Sequence, residues 1–169
     1  MQFFKILSIF VLSIFLTFPA DAAGSSSNKS EVSSGAKVNQ NFRLGKTSIK
    51  QAKKYLKKGK KEKSSNKFND AVEYLTKANK EQPNNPDILN LLGFSSRKTG
   101  DFIMAEIYYK QGLEIDPNHN GINEYLGELY VQTDRSDLAK ERLKVLESCN
   151  CEEFNELKQV IDGTKKSKY

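Results

Sequence analysis

Two cysteines are the residues of this chain best suited to chemistry. Cys149 and Cys151 are its only cysteines, and a single residue separates them. In an oxidising compartment such a pair can close an intramolecular disulfide that pins the chain locally. Two other uses stay open, namely free or intermolecular thiols and redox or copper(I) work. A soft metal would want a third ligand, and the sequence offers no clear one, so we predict no metal site and no cofactor.

Groups for catalysis are nearly absent. The only histidine, His119, lies in a Pro-Asn-His-Asn turn. The sequence contains no nucleophile within a recognised catalytic motif and no glycine-rich phosphate-binding loop. A turn residue needs no catalytic role, so we predict no catalytic residues and expect that the protein is not an enzyme.

A basic run between residues 50 and 63 is the next candidate site, since Glu62 is its only acid. We assign Lys53, Lys54, Lys57 and Lys61 to a basic surface. One interpretation is a solvated end helix that charge keeps soluble, as a terminal repeat requires. The other is a surface that contacts an anionic membrane or another polyanion. Nucleic acid is not expected, because no recognised nucleic-acid-binding module accompanies the lysines.

The elements that must position these residues follow a repeat of about 34 residues. Its clearest unit runs from Pro86 to Pro117, where the three-four spacing of apolar residues predicts two short helices separated by Gly100. Shifts by one repeat length superpose small or apolar residues in three copies of this unit. The superposed sets are Gly59, Gly93 and Gly127; Ala71, Ala105 and Ala139; Leu75, Tyr109 and Leu143; and Ala78, Gly112 and Leu146.

This pattern resembles the tetratricopeptide repeat (TPR) family over residues 52–151. The residues that carry the resemblance are Leu92-Gly93, Leu126-Gly127, Tyr130, Ala105 and Tyr109. The first repeat departs from the family pattern, with Lys58 in place of the leucine and Glu62 in place of the tyrosine. The resemblance implies an all-α solenoid of three helix pairs, closed by a C-terminal capping helix that covers the last apolar face.

The family resemblance also implies a peptide-binding groove lined by the first helix of each pair. We predict that Phe94 is an exposed aromatic anchor on this stripe. The groove residues are Leu56, Lys60 and Lys63 in the first repeat, Asn90, Phe94, Arg97 and Lys98 in the second, and Glu124, Glu128 and Gln132 in the third. The lysine and asparagine arrangement that clamps peptide carboxylates in this family is not reproduced. A groove that is positive at one end and acidic at the other favours a peptide of mixed charge.

The predicted domain organisation begins with a signal peptide at 1–22, where an apolar run from Ile6 to Phe18 precedes an Ala-Asp-Ala cleavage signal. A disordered, serine-rich linker follows at 23–47. The TPR domain spans 48–162, and a basic tail closes the chain at 163–169. Within the TPR domain the repeats cover 52–85, 86–119 and 120–151, and the capping helix covers 152–162.

These features together predict a non-catalytic, exported adaptor, periplasmic or secreted, that binds a protein or peptide in its concave groove. Two alternatives rest on other residues. One is a thiol-redox or metal-handling accessory that uses Cys149 and Cys151. The other is an envelope-surface protein that binds through its lysine-rich first helix.

Overall fold

The computed structural model describes residues 28–166, and in this range the chain is helical without strands. The predicted signal peptide and its cleavage site lie outside the described residues. No helix within the described range has the length and apolar character needed to cross a membrane. The helices are α1 (Asn28–Lys57), α2 (Lys61–Glu81), α3 (Pro86–Thr99), α4 (Phe102–Ile115), α5 (Asn120–Gln132), α6 (Ser136–Leu146) and α7 (Glu152–Ile161).

Local signals set the boundaries of the central pair, α3 and α4. The Asn85 side chain accepts hydrogen bonds from the backbone N–H groups of Asp87 and Ile88, at 3.0 and 3.2 Å. These bonds satisfy two of the donors that a helix N-terminus leaves open. Gly100 ends α3 with a φ of +90°, a conformation that glycine adopts without a steric penalty. Asp101 then caps α4 by accepting from the Met104 N–H at 3.0 Å.

Small residues let neighbouring helices approach closely. A Cβ added at Gly93 would lie 2.5 Å from the ring of Tyr109, so α3 and α4 could not keep their spacing with a larger residue there. A Cβ at Gly112 would lie 2.4 Å from Cδ1 of Ile122, which joins α4 to α5 in the same way. The predicted all-α solenoid of helix pairs is confirmed.

The C-terminal helix α7 covers the open face of the last pair, as predicted for a capping helix. It packs against both α5 and α6. Leu157 is fully buried, and its side chain lies where a Cβ on Gly127 would be. Glu156 and Lys165 form an ion pair across the end of the helix. This packing removes from water the apolar surface that a final repeat otherwise exposes.

The prediction of a linker at 23–47 is wrong for the described part of that segment, because α1 begins at Asn28. Gly45 on α1 packs against α2, since a Cβ there would lie 2.6 Å from Cγ of Leu75. Leu44-Gly45 therefore occupies the position in the first pair that Leu92-Gly93 occupies in the second.

The predicted alignment of the first helix with the later repeats is also wrong, because α1 ends before Gly59. Gly59 lies in the turn between α1 and α2 with a φ of +69°, so it corresponds to Gly100 rather than to Gly93. Helix α2 has 21 residues and α4 has 14. The difference of seven residues corresponds to about two helical turns, by which the first pair extends further toward the turn between its helices than the second pair does. A fixed shift by one repeat length therefore keeps the register of α2 and loses that of α1.

Candidate functional site

The first helices of the three pairs form the inner wall of the solenoid. Helix α3 packs against both α1 and α5. Among the described helices, α4 packs against neither α2 nor α6. The first helices of successive pairs are therefore in contact, whereas the second helices are separated. This difference curves the stack into a superhelix whose concave side is lined by α1, α3 and α5.

A lysine-lined cavity with a volume of about 640 Å³ lies on this wall. Ile49 of α1 and Leu91 of α3 form its apolar part; Ile49 is buried and Leu91 is half-buried. The other lining residues lie along α1 at helical spacing or directly after it. They are Lys46, Lys50, Lys53, Lys54, Lys57 and Lys58.

The predicted groove residues of the first repeat do not line this cavity. Leu56 is half-buried on α1, Lys60 lies in the turn after α1, and Lys63 lies on α2. The register shift in the first repeat explains this error. Three residues of the predicted basic surface, Lys53, Lys54 and Lys57, do line the cavity, whereas Lys61 is exposed on α2.

Phe94 is buried, so the prediction of an exposed aromatic anchor is wrong. Its side chain is only 2% exposed. Its ring centroid lies 5.9 Å from that of Phe68 and 5.0 Å from that of Tyr125. The ammonium groups of Lys53 and Lys98 lie 4.6 and 5.2 Å from the centre of the Phe94 ring, within the range of cation–π attraction. Phe94 therefore joins the core to the lysines of the inner wall.

An ion pair between Arg97 and Glu128 connects α3 to α5. The Arg97 Nη2 atom lies 2.7 Å from Oε2 of Glu128, and both side chains are fully buried. The sequence predicted that these two residues line the peptide-binding groove. Burial also applies to Asn90 and Glu124, the other groove candidates on these helices. Periodicity identifies the inner face of each helix, but it does not distinguish an inner face that is covered from one that is open.

Lys98 lies beside this pair in an unusual electrostatic environment. Burial of the ammonium group, followed by repulsion from Arg97 and Lys53, lowers the pKa of Lys98 to about 7. The carboxylate of Glu128 acts in the opposite direction. Lys98 is thus a member of the predicted groove whose charge changes near neutral pH. The sequence shows no signal for this shift, because it depends on tertiary burial.

A second, polar pocket of about 470 Å³ lies at the α3–α5 end of the wall. Its carboxylates come from Asp116, Glu124 and Glu153, and the amide of Asn90 also lines it. The wall is therefore basic along α1 and acidic at this end. Gln132, the last predicted groove residue, is exposed near the end of α5 and lines neither pocket.

His119 has a structural role at the N-terminus of α5. Its Nδ1 accepts a hydrogen bond from the Ile122 N–H at 3.2 Å, and its Nε2 lies 3.2 Å from Oδ1 of Asp87. The imidazole ring thus connects the N-terminal ends of α3 and α5. This agrees with the interpretation of His119 as a turn residue.

The cysteines are bonded to each other between α6 and α7. The Cα atoms of Cys149 and Cys151 lie 5.2 Å apart, within the ordinary range for a disulfide. Asn150 between them has a φ of +48°, a conformation that asparagine tolerates better than most residues. Within residues 28–166 no group of three or more histidine, cysteine or acidic side chains could hold a metal ion.

Residues 86–119, which form α3, α4 and the turn after them, match the family model of the tetratricopeptide repeat. This segment of the chain is a tetratricopeptide repeat. Its fold is similar to a solved structure described as the first TPR of Spaghetti (RPAP3) bound to the HSP90 peptide SRMEEVD, with a TM-score of 0.52 and 20% sequence identity. The similarity covers 73% of this chain and 94% of the other. At that identity the comparison shows a similar fold. No curated protein sequence matches the chain.

Proposed function

We propose that this TPR protein is a non-catalytic scaffold that binds a segment of another protein along the concave wall of α1, α3 and α5. The lysine-lined cavity between α1 and α3 carries this proposal. It is concave, it lies on the inner wall, and it combines apolar floor residues with charged groups around them. Ligand sites are commonly concave and combine apolar side chains with polar groups that fix the orientation of the ligand.

The similar TPR domain supports a peptide as the ligand. It was solved with a peptide bound, according to its description. A bound segment gains affinity from a few anchors, while the rest of the wall provides complementarity. In this TPR protein the wall changes from basic at α1 to acidic near Glu124 and Glu153, which would favour one direction of a bound segment over the other.

Export through the N-terminal segment is part of the proposal. Its support is the apolar run before Ala20-Asp21-Ala22 in the sequence, which is typical of a cleaved signal. The bond between Cys149 and Cys151 fits an oxidising compartment, where disulfides persist. Fractionation of cells that express the full chain tests this part, since a protein found only in the cytoplasm at its uncleaved mass would contradict export.

Selection from a library of random dodecapeptides tests the binding function. The mature protein, beginning at residue 23, is the bait, and enriched peptides are resynthesised with a photo-crosslinking group. Mass spectrometry then maps the crosslinked positions. We expect them on α1 and α3 around Lys46, Lys50 and Leu91.

The outer surface provides the control for this selection. Lys140 and Lys144 are exposed on α6, away from the inner wall. Crosslinks concentrated on α6, or a library from which no peptide is enriched, would contradict the proposed function. A thiol titration without reductant is a separate test of the cysteine hypothesis, because a bonded pair yields no reactive thiol.

A further inference from the structure

We propose that the occupant of the lysine-lined cavity is an acidic peptide segment that carries at least one large apolar side chain. This inference rests on the proposed peptide-binding function and specifies the chemistry of its ligand. The site is the cavity between α1 and Leu91 of α3. Part of it lies along the roughly two helical turns by which α1 and α2 extend further toward their connecting turn than α3 and α4 do.

Charge is the first argument for an acidic ligand. Six of the eight lining residues are lysines, and none is acidic. Like charges at the spacings of the cavity lysines repel one another, so a bound carboxylate relieves repulsion as well as adding attraction.

The cavity floor is the argument for an apolar side chain. Ile49 is 6% exposed, and Leu91 is half-buried beside it. The methylene stems of the exposed lysines extend this apolar surface toward solvent. A ligand that offered only charge would leave the floor wet, whereas one leucine-sized side chain would cover it.

The shape of the site favours a peptide over a membrane surface. The lysines from 46 to 58 extend along roughly 18 Å of helix, at about 1.5 Å per residue. This length matches about five or six residues of extended peptide at about 3.3 Å each. Helices α1 and α2 form a helical hairpin, and Lys60, Lys61 and Lys63 lie at its end. A flat bilayer could contact these lysines, but its surface could not reach Ile49 between α1 and α3. We therefore expect the cavity and the hairpin end to behave differently when their charges are reversed.

Two triple variants separate the cavity from the hairpin end. The cavity variant carries Lys50→Glu, Lys54→Glu and Lys57→Glu. The matched control carries Lys60→Glu, Lys61→Glu and Lys63→Glu, in the turn and on α2. All six lysines are exposed, so neither variant removes core contacts. Each variant reverses three charges and changes the formal net charge from +6 to zero, which keeps the total charge equal between them.

The probes are fluorescent dodecapeptides with a common leucine position. One series contains glutamate at the charged positions, a second glutamine and a third lysine. A fourth peptide keeps the glutamates and replaces the leucine with serine. Fluorescence anisotropy at two salt concentrations gives Kd for each peptide with wild type and both variants. Circular dichroism confirms that all three proteins are helical.

The expected result is that the glutamate peptide binds wild type best, and that added salt weakens it. The cavity variant should raise its Kd by at least about tenfold, as three lost charge pairs predict, while the control changes it by less than about threefold. The serine peptide should also bind more weakly than the leucine peptide. Equal binding of the glutamine or lysine peptide, or an equal loss in both triple variants, would overturn the inference and leave peptide binding itself intact.

Failure of the whole scaffold function looks different in this experiment. In that case none of the peptides binds wild type, whatever its charge. Vesicles of phosphatidylglycerol supply the membrane comparison, with phosphatidylcholine vesicles as the neutral reference. Vesicle binding that the cavity variant abolishes and the hairpin control leaves intact, together with no glutamate-peptide binding, would show that the cavity serves lipid and would overturn the peptide assignment.

Discussion

Phe94 shows at the residue scale how an inner-wall position can belong to the core. Its helical spacing places it beside the polar residues Asn90 and Arg97 on α3. Its ring nevertheless packs between Phe68 and Tyr125, from the helices on either side. An aromatic residue at this place fills the narrow side of the solenoid and excludes water from the ion pair beside it.

Replacing Phe94 with alanine should therefore unfold the protein more easily. We expect Phe94→Ala to lower the free energy of unfolding by about 3–5 kcal/mol, because it removes a buried ring and leaves a cavity. Urea denaturation measures the change. Ile103→Ala is the control, since Ile103 is 77% exposed and should change stability by less than about 0.5 kcal/mol. A loss at Phe94 no larger than that at Ile103 would restore the interpretation of Phe94 as a surface anchor.

Lys98 leads to a pH dependence whose sign follows from its lowered pKa. The ordinary value of 10.5 applies to the unfolded chain, whereas the folded value is about 7. Between these values the unfolded state binds a proton that the folded state has released, so stability should rise with pH from about 7 to 10. Above pH 10 burial acts against the fold, because it raises the pKa of Tyr109 and Tyr125.

The measurement for Lys98 compares wild type with Lys98→Met across pH 6–10. We expect the free energy of unfolding of wild type to increase over the upper part of this range, and the variant to lack that increase. Methionine keeps most of the side-chain volume and cannot bind a proton. Parallel pH profiles for the two proteins would show that Lys98 titrates at its ordinary value.

At the element scale, the first helix pair differs from the other two in length. Helices α1 and α2 extend beyond the contact of Gly45 with Leu75, and the lysine-rich turn lies at the end of this extension. Ser64 supports the extension, because its Oγ donates to the carbonyl oxygen of Ala52 at 3.0 Å and is itself buried. The extension therefore has its own packing as well as its charge.

A larger residue at Gly45 tests whether α1 packs as the first helix of the solenoid. We expect Gly45→Val to destabilise the protein by about 1–3 kcal/mol, because the new side chain overlaps the buried Leu75. Thermal unfolding followed by circular dichroism measures the change. Lys46→Val is a neighbouring control with an exposed side chain. If residues near 45 formed a linker, Gly45→Val would leave the melting temperature unchanged.

At the scale of the whole molecule, stability depends on how each end of the solenoid is covered. Helix α7 buries Leu157 and Val160 against the last pair. A repeat protein gains its core from neighbouring units, so an uncovered end weakens the unit next to it.

Removal of α7 should expose the apolar face of α5. We expect a chain that ends at Asn150 to have a melting temperature lower by several degrees and to self-associate, since loss of a buried leucine alone costs about 2–5 kcal/mol. Calorimetry and analytical ultracentrifugation measure the two effects. A chain that ends at Gly163 is the control, because it keeps the whole of α7. Equal melting temperatures for the two chains would show that α7 is dispensable.

The sequence by itself determined the repeat unit, the helix pairs and the capping helix. These depend on local signals, namely apolar spacing, the caps at Asn85 and Asp101, and the stop at Gly100, which act within a few residues. The register of α1 was beyond the sequence, because the two extra turns of the first pair break the repeat period on which the alignment of Gly59 relied.

Only the tertiary structure decided which inner-wall side chains are covered. The burial of Phe94, the ion pair of Arg97 with Glu128 and the lowered pKa of Lys98 all arise where three helices from different repeats meet. The lysine-lined cavity likewise joins α1 to Leu91, which belongs to the next repeat along the chain. A one-dimensional pattern specifies which face of a helix is turned inward, but burial depends on what the neighbouring helices place against that face.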